Sequence, residues 1–212
     1  MKFFRRICSI MIRPRTTMRA ILDAPAGREV VPLVLLATLS AFAGNANENV
    51  RGSLKHAPMP WLIVACALIV TALVMLLLFY GFAWLAYAAG RFLEGEGSPV
   101  AVRSALAWGM APIIWALLYR VPAALFGPAQ GLAQVRVGDD RLRIDPGQFT
   151  SGCFIALVFA LLELGVLVWY LVVASRTLGE AHRFSAWRGL GTLLIVGITP
   201  LIVIIAAVLA IS

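Results

Sequence analysis

The feature that most constrains the fold is an uncharged run that extends from Trp61 to Gly90. A helix over this run would be about 45 Å long, which exceeds the roughly 30 Å thickness of the hydrocarbon core of a bilayer. Only 13% of the residues are charged and 61% are apolar, whereas about 25% of a soluble domain is charged. The chain is therefore predicted to be an all-α integral membrane protein.

Four further apolar stretches complete a predicted bundle of five transmembrane helices. The predicted spans cover residues 30–46, 61–90, 100–127, 153–174 and 190–211. The first is at the lower edge of spanning length. The third follows Ser98, a candidate N-cap, and contains Pro112 and Pro122. Since each interior proline removes a backbone N–H, we expect a kinked helix, which could serve gating, ligand binding or packing alone.

The loop of residues 128–152 is the only sizeable polar segment after residue 28. Within it, residues 134–144 alternate apolar and polar positions around Gly138, Asp139 and Asp140, which favours a small β-hairpin. The aspartates lack the alternating spacing of a calcium loop, so they are interpreted as a solvated turn.

The net charge of +8 is concentrated near the N-terminus, where seven of the 18 basic residues lie in the first 28 positions. With a cytoplasmic N-terminus, 12 basic residues fall on the cytoplasmic side and five on the other. This asymmetry predicts that the N-terminus is cytoplasmic and that the C-terminus lies on the opposite side.

Residues 1–28 are predicted to form a basic, amphipathic cytoplasmic arm ahead of a membrane domain of residues 29–212. Apolar residues recur at helical spacing between Phe3 and Met11, which is typical of a helix at a membrane surface. Its candidate contacts to anionic lipid headgroups are Arg5, Arg6, Arg13, Arg15 and Arg19. The alternative is that these charges only fix the topology. Because the charge adjoins hydrophobic spans, we expect a lipid bilayer rather than nucleic acid as the partner.

Arg120 and Glu163 are the two charges predicted to lie within the hydrocarbon. An unpaired charge there costs several kcal/mol, and the two residues belong to successive, antiparallel spans, so we expect an interhelical ion pair. Alternatively, Arg120 extends to the outer headgroups, or Glu163 is protonated and hydrogen-bonded between helices. A permease or channel subunit that uses this pair is the alternative function.

The sequence shows no motif for catalysis, metal binding or cofactor binding. It lacks GxSxG, HExxH, Walker and dinucleotide-binding patterns. Cys8, Cys66 and Cys153 are far apart, and His56 and His182 are single loop residues without ligand spacing. We therefore expect neither an enzyme nor a cofactor.

Three segments together resemble the Yip family, the Ypt/Rab-interacting proteins and their bacterial relatives. PRTTMRAILDAP (14–25) resembles the pre-membrane helix of bacterial members. LEGEGSPVAVRSALAWGMAPIIW (93–115) is similar to the family's glycine-containing connector and next span, and LGEAHRFSAWRG (178–189) to the turn before the last span.

The resemblance implies five helices and a cytosolic N-terminus. Eukaryotic relatives act in vesicle trafficking and bind Rab GTPases, but their acidic-tyrosine motif of the DLYGP type is absent here. Bacterial members have no settled activity, so the resemblance adds to the fold more than to the function. Our first expectation for the function is a non-catalytic membrane protein that organises membrane or scaffolds protein partners, with membrane-protein partners or a homo-oligomer. The arginine- and alanine-rich composition favours the inner membrane of a bacterium, and a eukaryotic endomembrane is the alternative.

Overall fold

The computed structural model describes residues 2–23, 27–45, 58–126 and 146–211, and these are helical with no strand among them. The predicted helical fold is therefore confirmed. The helices are α1 (Lys2–Ile12), α2 (Pro14–Leu22), α3 (Val30–Gly44), α4 (Pro60–Phe92), α5 (Pro99–Gly109), α6 (Ala111–Trp115), α7 (Leu117–Phe126), α8 (Pro146–Ala181) and α9 (Ala186–Ile211).

Length and composition identify α4 and the Phe154–Ala181 part of α8 as candidate membrane spans. The segments Pro99–Trp115 and Leu117–Leu125 form a third candidate that is bent by 46°. Two further helical segments, Val30–Gly44 and Ala186–Thr199, are apolar but shorter. By length and composition, the described part of the chain thus contains two candidate spans, or three if the bent pair counts as one.

The last part of the predicted loop of residues 128–152 is helical. Helix α8 starts at Pro146, so residues 146–152 are helical and do not belong to a loop. Residues 147–152 include two glycines and the polar Gln148, Thr150 and Ser151, a composition that favours a loop, yet they belong to the first turns of α8. The predicted hairpin of residues 134–144 lies outside the described residues.

The surfaces of α4 and α8 are apolar and face outwards. Leu77 is 74% exposed, Trp61 is 70% exposed and Phe154 is 66% exposed. Contiguous apolar surface of this kind is avoided by soluble monomers but is normal where the surrounding medium is lipid. The fold therefore buries its core between helices and presents its hydrophobic exterior to a membrane.

The register of the bundle is fixed by close contacts of small residues. Thr177 of α8 donates a hydrogen bond from Oγ1 to the carbonyl of Ala105 in α5 at 3.0 Å. One turn deeper, a Cβ on Gly109 would lie 3.1 Å from Cα of Ala174. Since the numbers rise in α5 as they fall in α8, the two helices are antiparallel, and small side chains let their backbones approach.

Helices α1 and α2 pack on this bundle. Ile7, Ile10 and Met18 are buried, and the ring of Phe3 lies 5.6 Å from that of Trp108. Helix α2 packs against α5 and α8. The predicted amphipathic helices are therefore present, but their apolar faces contact protein.

Candidate functional site

The most polar site inside the bundle joins α7 to α8 through Arg120 and Glu163. Nε of Arg120 lies 2.8 Å from Oε1 of Glu163, and Nη2 donates to Oε2. This two-point geometry is the strong form of an arginine–carboxylate pair. The structure thus brings together the two charges that were predicted to lie in the membrane.

The remaining terminal nitrogen of Arg120 connects the ion pair to α3. Nη1 donates to Oγ of Ser40 at 3.1 Å, and that hydroxyl donates to the carbonyl of Ile113 in α6 at 2.5 Å. All three guanidinium nitrogens therefore have oxygen partners. Gly44 leaves the space for the arginine, because a Cβ there would lie 3.2 Å from both Cδ and Nε of Arg120.

A cavity of about 340 Å³ adjoins this network between α3, α7 and α8. Alanines and Gly44 form most of its wall, with Arg120, Glu163, Asn45 and Phe159. The pair neutralises itself, so the site has polarity without net charge. Such a network suits the locking of helices to one another more than the capture of an ion.

The two prolines of the central segment flank its bend. Pro112 is buried in the first turn of α6, where a missing N–H is tolerated. Pro122 lies inside α7. The 46° bend falls between the two helical segments, at Ala116, which lies between the prolines. The neighbouring carbonyl of Ile113 receives its hydrogen bond from Ser40.

The arginines of the arm divide into two groups. Arg6 donates to Glu29 at 3.2 Å, and Nε of Arg19 lies 2.7 Å from Oε1 of Glu180 in α8. These two contacts hold α1 and α2 to the chain that follows. Of the five arginines predicted to contact headgroups, the other three, Arg5, Arg13 and Arg15, are exposed and form no ion pair with an acid in the described part of the chain.

A second polar site, which sequence reasoning missed, surrounds His182 at the end of α8. The imidazole is 1% exposed and stacks on Phe184 with a centroid distance of 5.1 Å. Its walls are glycines of the α4–α5 connector. A Cβ on Gly95 would lie 2.5 Å from Nδ1, and one on Gly97 would lie 2.8 Å from the same atom. Only glycine fits so close to the ring.

The backbone around His182 is built from two helix ends of the same kind. At the end of α4, Gly95 donates its N–H to the carbonyl of Gly90 at 2.8 Å, and Glu94 has a φ of 65°. This is a Schellman motif with a non-glycine residue in the left-handed position. The end of α8 repeats it with Arg183 at a φ of 59°. The two ends are joined by the N–H of Glu96, which donates to the carbonyl of His182 at 3.1 Å.

The two ring nitrogens of His182 are buried, and neither has a hydrogen-bond partner among the residues that the structure describes. Burial lowers the pKa of His182, and the positive charge of Arg91 lowers it further, whereas the nearby backbone of Ala86 opposes the change. A neutral imidazole is therefore favoured in the folded state. Lone histidines in loops give no periodic signal, and the glycines that enclose this one are more than 80 positions away in the sequence.

The described residues bring no three His, Cys, Asp or Glu side chains together in a way that could hold a metal ion. No curated protein and no solved structure matches the chain. A family model described as the Yip1 domain matches residues 8–209. That match starts inside α1, so it takes in most of the predicted arm together with the bundle.

The contact between the α4–α5 connector and the α8–α9 turn gives this match a structural basis. Both segments were singled out for their resemblance to the Yip family, and the structure places them against each other around His182. With outward-facing apolar helices and a match over nearly its whole length, the chain belongs to the Yip1-domain family of membrane proteins.

Proposed function

We propose that this protein is a non-catalytic, multi-pass membrane protein that organises membrane or scaffolds protein partners. The supporting observation is the docking of α1 and α2. Their apolar residues are buried against α5, α6 and α8, while Arg5, Arg13 and Arg15 are exposed. A basic surface held on a packed bundle suits anionic headgroups or an acidic patch on a partner, because the charges need no further ordering.

We further propose five membrane crossings with the N-terminus in the cytoplasm and the C-terminus on the other side. This proposal is supported by alternating directions in the bundle. Helix α5 is antiparallel to α8. Helices α4 and α5 pack on each other and are joined only by residues 93–98, which is typical of antiparallel neighbours. The shorter apolar segments in α3 and α9 would cross where the bilayer thins locally.

The inner membrane of a bacterium is the proposed location, with a eukaryotic endomembrane as the alternative. The permease alternative has no supporting observation. Arg120 and Glu163 satisfy each other, and the third guanidinium nitrogen is bonded to Ser40. The site therefore presents no free charge to a solute.

Copurification after in-cell crosslinking tests the scaffold. The wild type is compared with Arg5→Gln/Arg13→Gln/Arg15→Gln and with Arg120→Leu/Glu163→Leu, all purified in mild detergent. We expect the arm variant to lose a defined set of crosslinked membrane proteins and the intramembrane variant to keep it. An unchanged set in a folded arm variant would refute the proposal.

Reporter fusions at the C-terminus test the topology. We expect an active phosphatase and a dark fluorescent protein, because a C-terminus outside the cytoplasm allows phosphatase folding only. An inactive phosphatase together with a bright fluorescent fusion would refute the five-span arrangement.

A further inference from the structure

A basic groove separates the arm from the turn between α8 and α9. This cavity of about 550 Å³ is lined by Arg13, Arg15 and Arg176, with hydroxyls from Thr16 and Ser185. None of the described residues that line it carries a carboxylate. The three arginines are exposed, and they form no ion pair with an acid anywhere in the described ranges. The groove thus gathers three unneutralised positive charges and two neutral hydrogen-bonding groups.

An apolar groove continues from the basic one along α8. It has a volume of about 740 Å³ and shares Ile12, Pro14 and Arg176 with the basic groove. It reaches back along α8 to Leu161. From Arg176 to Leu161 the helix extends about 22 Å, which exceeds the roughly 15 Å depth of one leaflet. A molecule that fills both grooves must have an anionic head and a long apolar tail.

The rim of the basic groove carries exposed apolar side chains of the kind found at membrane interfaces. Trp187 is 79% exposed and Ile12 is 78% exposed, and both residues line the groove. Tryptophan is enriched at the level of the headgroups, where its ring is apolar and its N–H is polar. Phosphate groups belong to the same headgroup level, so a tryptophan on this rim favours phosphate as the partner of the arginines.

We propose that this composite groove binds one anionic phospholipid, with its phosphate against Arg13, Arg15 and Arg176 and an acyl chain along α8. Guanidinium groups are the preferred partners of phosphate because they donate parallel hydrogen bonds. A zwitterionic choline lipid fits worse, since its quaternary ammonium group would approach three positive charges. The inference rests on the proposed function, in which the arm faces anionic headgroups, and adds one defined site to that surface.

Native mass spectrometry of the full-length protein in mild detergent tests the charge requirement. Phosphatidylglycerol and phosphatidylcholine of equal chain length are titrated into the wild type, into Arg13→Gln/Arg176→Gln and into Arg28→Gln/Arg91→Gln. The last variant removes the same charge from two exposed arginines outside the groove. We expect the wild type to bind one phosphatidylglycerol tightly. Its affinity should fall about 25-fold in the groove variant, at about fivefold per arginine, and should change little in the control.

A second pair of variants tests the apolar groove. Gly165 lies in it and would have no heavy atom within 4 Å of an added Cβ, and the same is true of Gly191 in α9, which lies outside. We expect Gly165→Leu to weaken phosphatidylglycerol about tenfold and Gly191→Leu to leave it unchanged. Glycerol 3-phosphate, which carries the phosphate of the lipid but no acyl chain, should compete poorly with phosphatidylglycerol for either variant.

The outcomes separate the site from the surface. Equal loss of phosphatidylglycerol in both double-arginine variants would refute the site and leave the proposed basic surface standing. Equal binding of the two lipids by the wild type would refute both. Strong competition by glycerol 3-phosphate, or no effect of Gly165→Leu, would refute the lipid assignment in favour of a soluble phosphate. Retained monodispersity and thermal stability show that a variant is folded.

Discussion

Glu163→Leu and Arg120→Leu provide the sharpest test of the intramembrane network. Arg120 keeps only 13% of its side chain exposed, so Glu163→Leu strands a buried cation that cannot lose its proton. Breaking a buried pair costs about 3–5 kcal/mol. Because 42% of the Glu163 side chain is exposed, we expect the lower end, about 3 kcal/mol.

The reverse substitution should be milder. Arg120→Leu leaves a carboxylate that can take up a proton and become neutral, so we expect a loss of about 2 kcal/mol. In the double variant no charge remains, and two leucines suit a lipid-facing helix contact. Replacement of a buried pair by apolar residues is often close to neutral, and we allow about 1 kcal/mol for the lost hydrogen bonds. The coupling free energy is then about 4 kcal/mol.

The free energy of unfolding in mixed micelles, measured by titration with a denaturing detergent, gives all four corners of the cycle. A coupling near zero would refute the pair as a stabilising contact, whatever the size of the single effects. A larger loss for Arg120→Leu than for Glu163→Leu would contradict the reasoning about which charge can neutralise itself. Ser40→Ala, which removes one hydrogen bond from Arg120 and one to the carbonyl of Ile113, should cost about 2 kcal/mol.

Three further outcomes follow from the same contacts. The folded state lowers the pKa of His182, so the free energy of unfolding should be independent of this group above the ordinary histidine pKa and should fall as the pH drops below about 6.5, by at most about 1.4 kcal/mol per pH unit. His182→Gln should abolish this pH dependence, and a dependence that persists in the variant would contradict a buried neutral imidazole. Ile10 is fully buried, so Ile10→Ala should lower the free energy of unfolding by about 2–5 kcal/mol, whereas Ile12→Ala, at 78% exposure, should change it by less than about 1 kcal/mol. Equal effects of the two variants in thermal unfolding would show that α1 does not pack on the bundle. Gly95→Ala places a Cβ 2.8 Å from the carbonyl oxygen of Gly90 and should lower the free energy of unfolding by about 1–3 kcal/mol. The added Cβ of Gly191→Ala has no atom within 4 Å, so this variant should stabilise α9 by up to about 1 kcal/mol. An unchanged melting temperature for Gly95→Ala would contradict the close packing of the connector.

The pairing of Arg120 with Glu163 could be predicted from the sequence because these are the only two charges predicted to lie within the hydrocarbon. With one cation and one anion, each has a single candidate partner of opposite charge. The helices could also be predicted, since a long uncharged segment within a membrane must satisfy its own backbone hydrogen bonds and therefore forms a helix. Family membership was visible in three short segments, and the match to residues 8–209 confirms it. These features depend on composition and local order alone.

Other features depend on contacts between residues that are distant in the sequence, and composition does not encode these contacts. The periodicity of α1 revealed an apolar face, but lipid and protein are equally apolar partners for Ile10. The bend lies at Ala116, a residue type that favours helix. The site around His182 requires Gly95 and Gly97 to meet a ring far along the chain. Each of these follows from packing between helices, and a single sequence carries no periodic trace of it.

The pairing of Arg120 with Glu163 also sets an order of events during synthesis. The two residues are separated by 43 positions, so at about 5–20 residues per second the arginine leaves the ribosome some 2–9 s before its partner. During that interval the bent segment carries an unneutralised charge and should remain at the insertion machinery or near the interface. A chain truncated after residue 126 should therefore insert poorly, and Arg120→Leu should restore insertion in a glycosylation-mapping assay. That outcome would mean that the carboxylate on α8 allows the preceding segment to enter the bilayer, so that the two segments integrate into the membrane together.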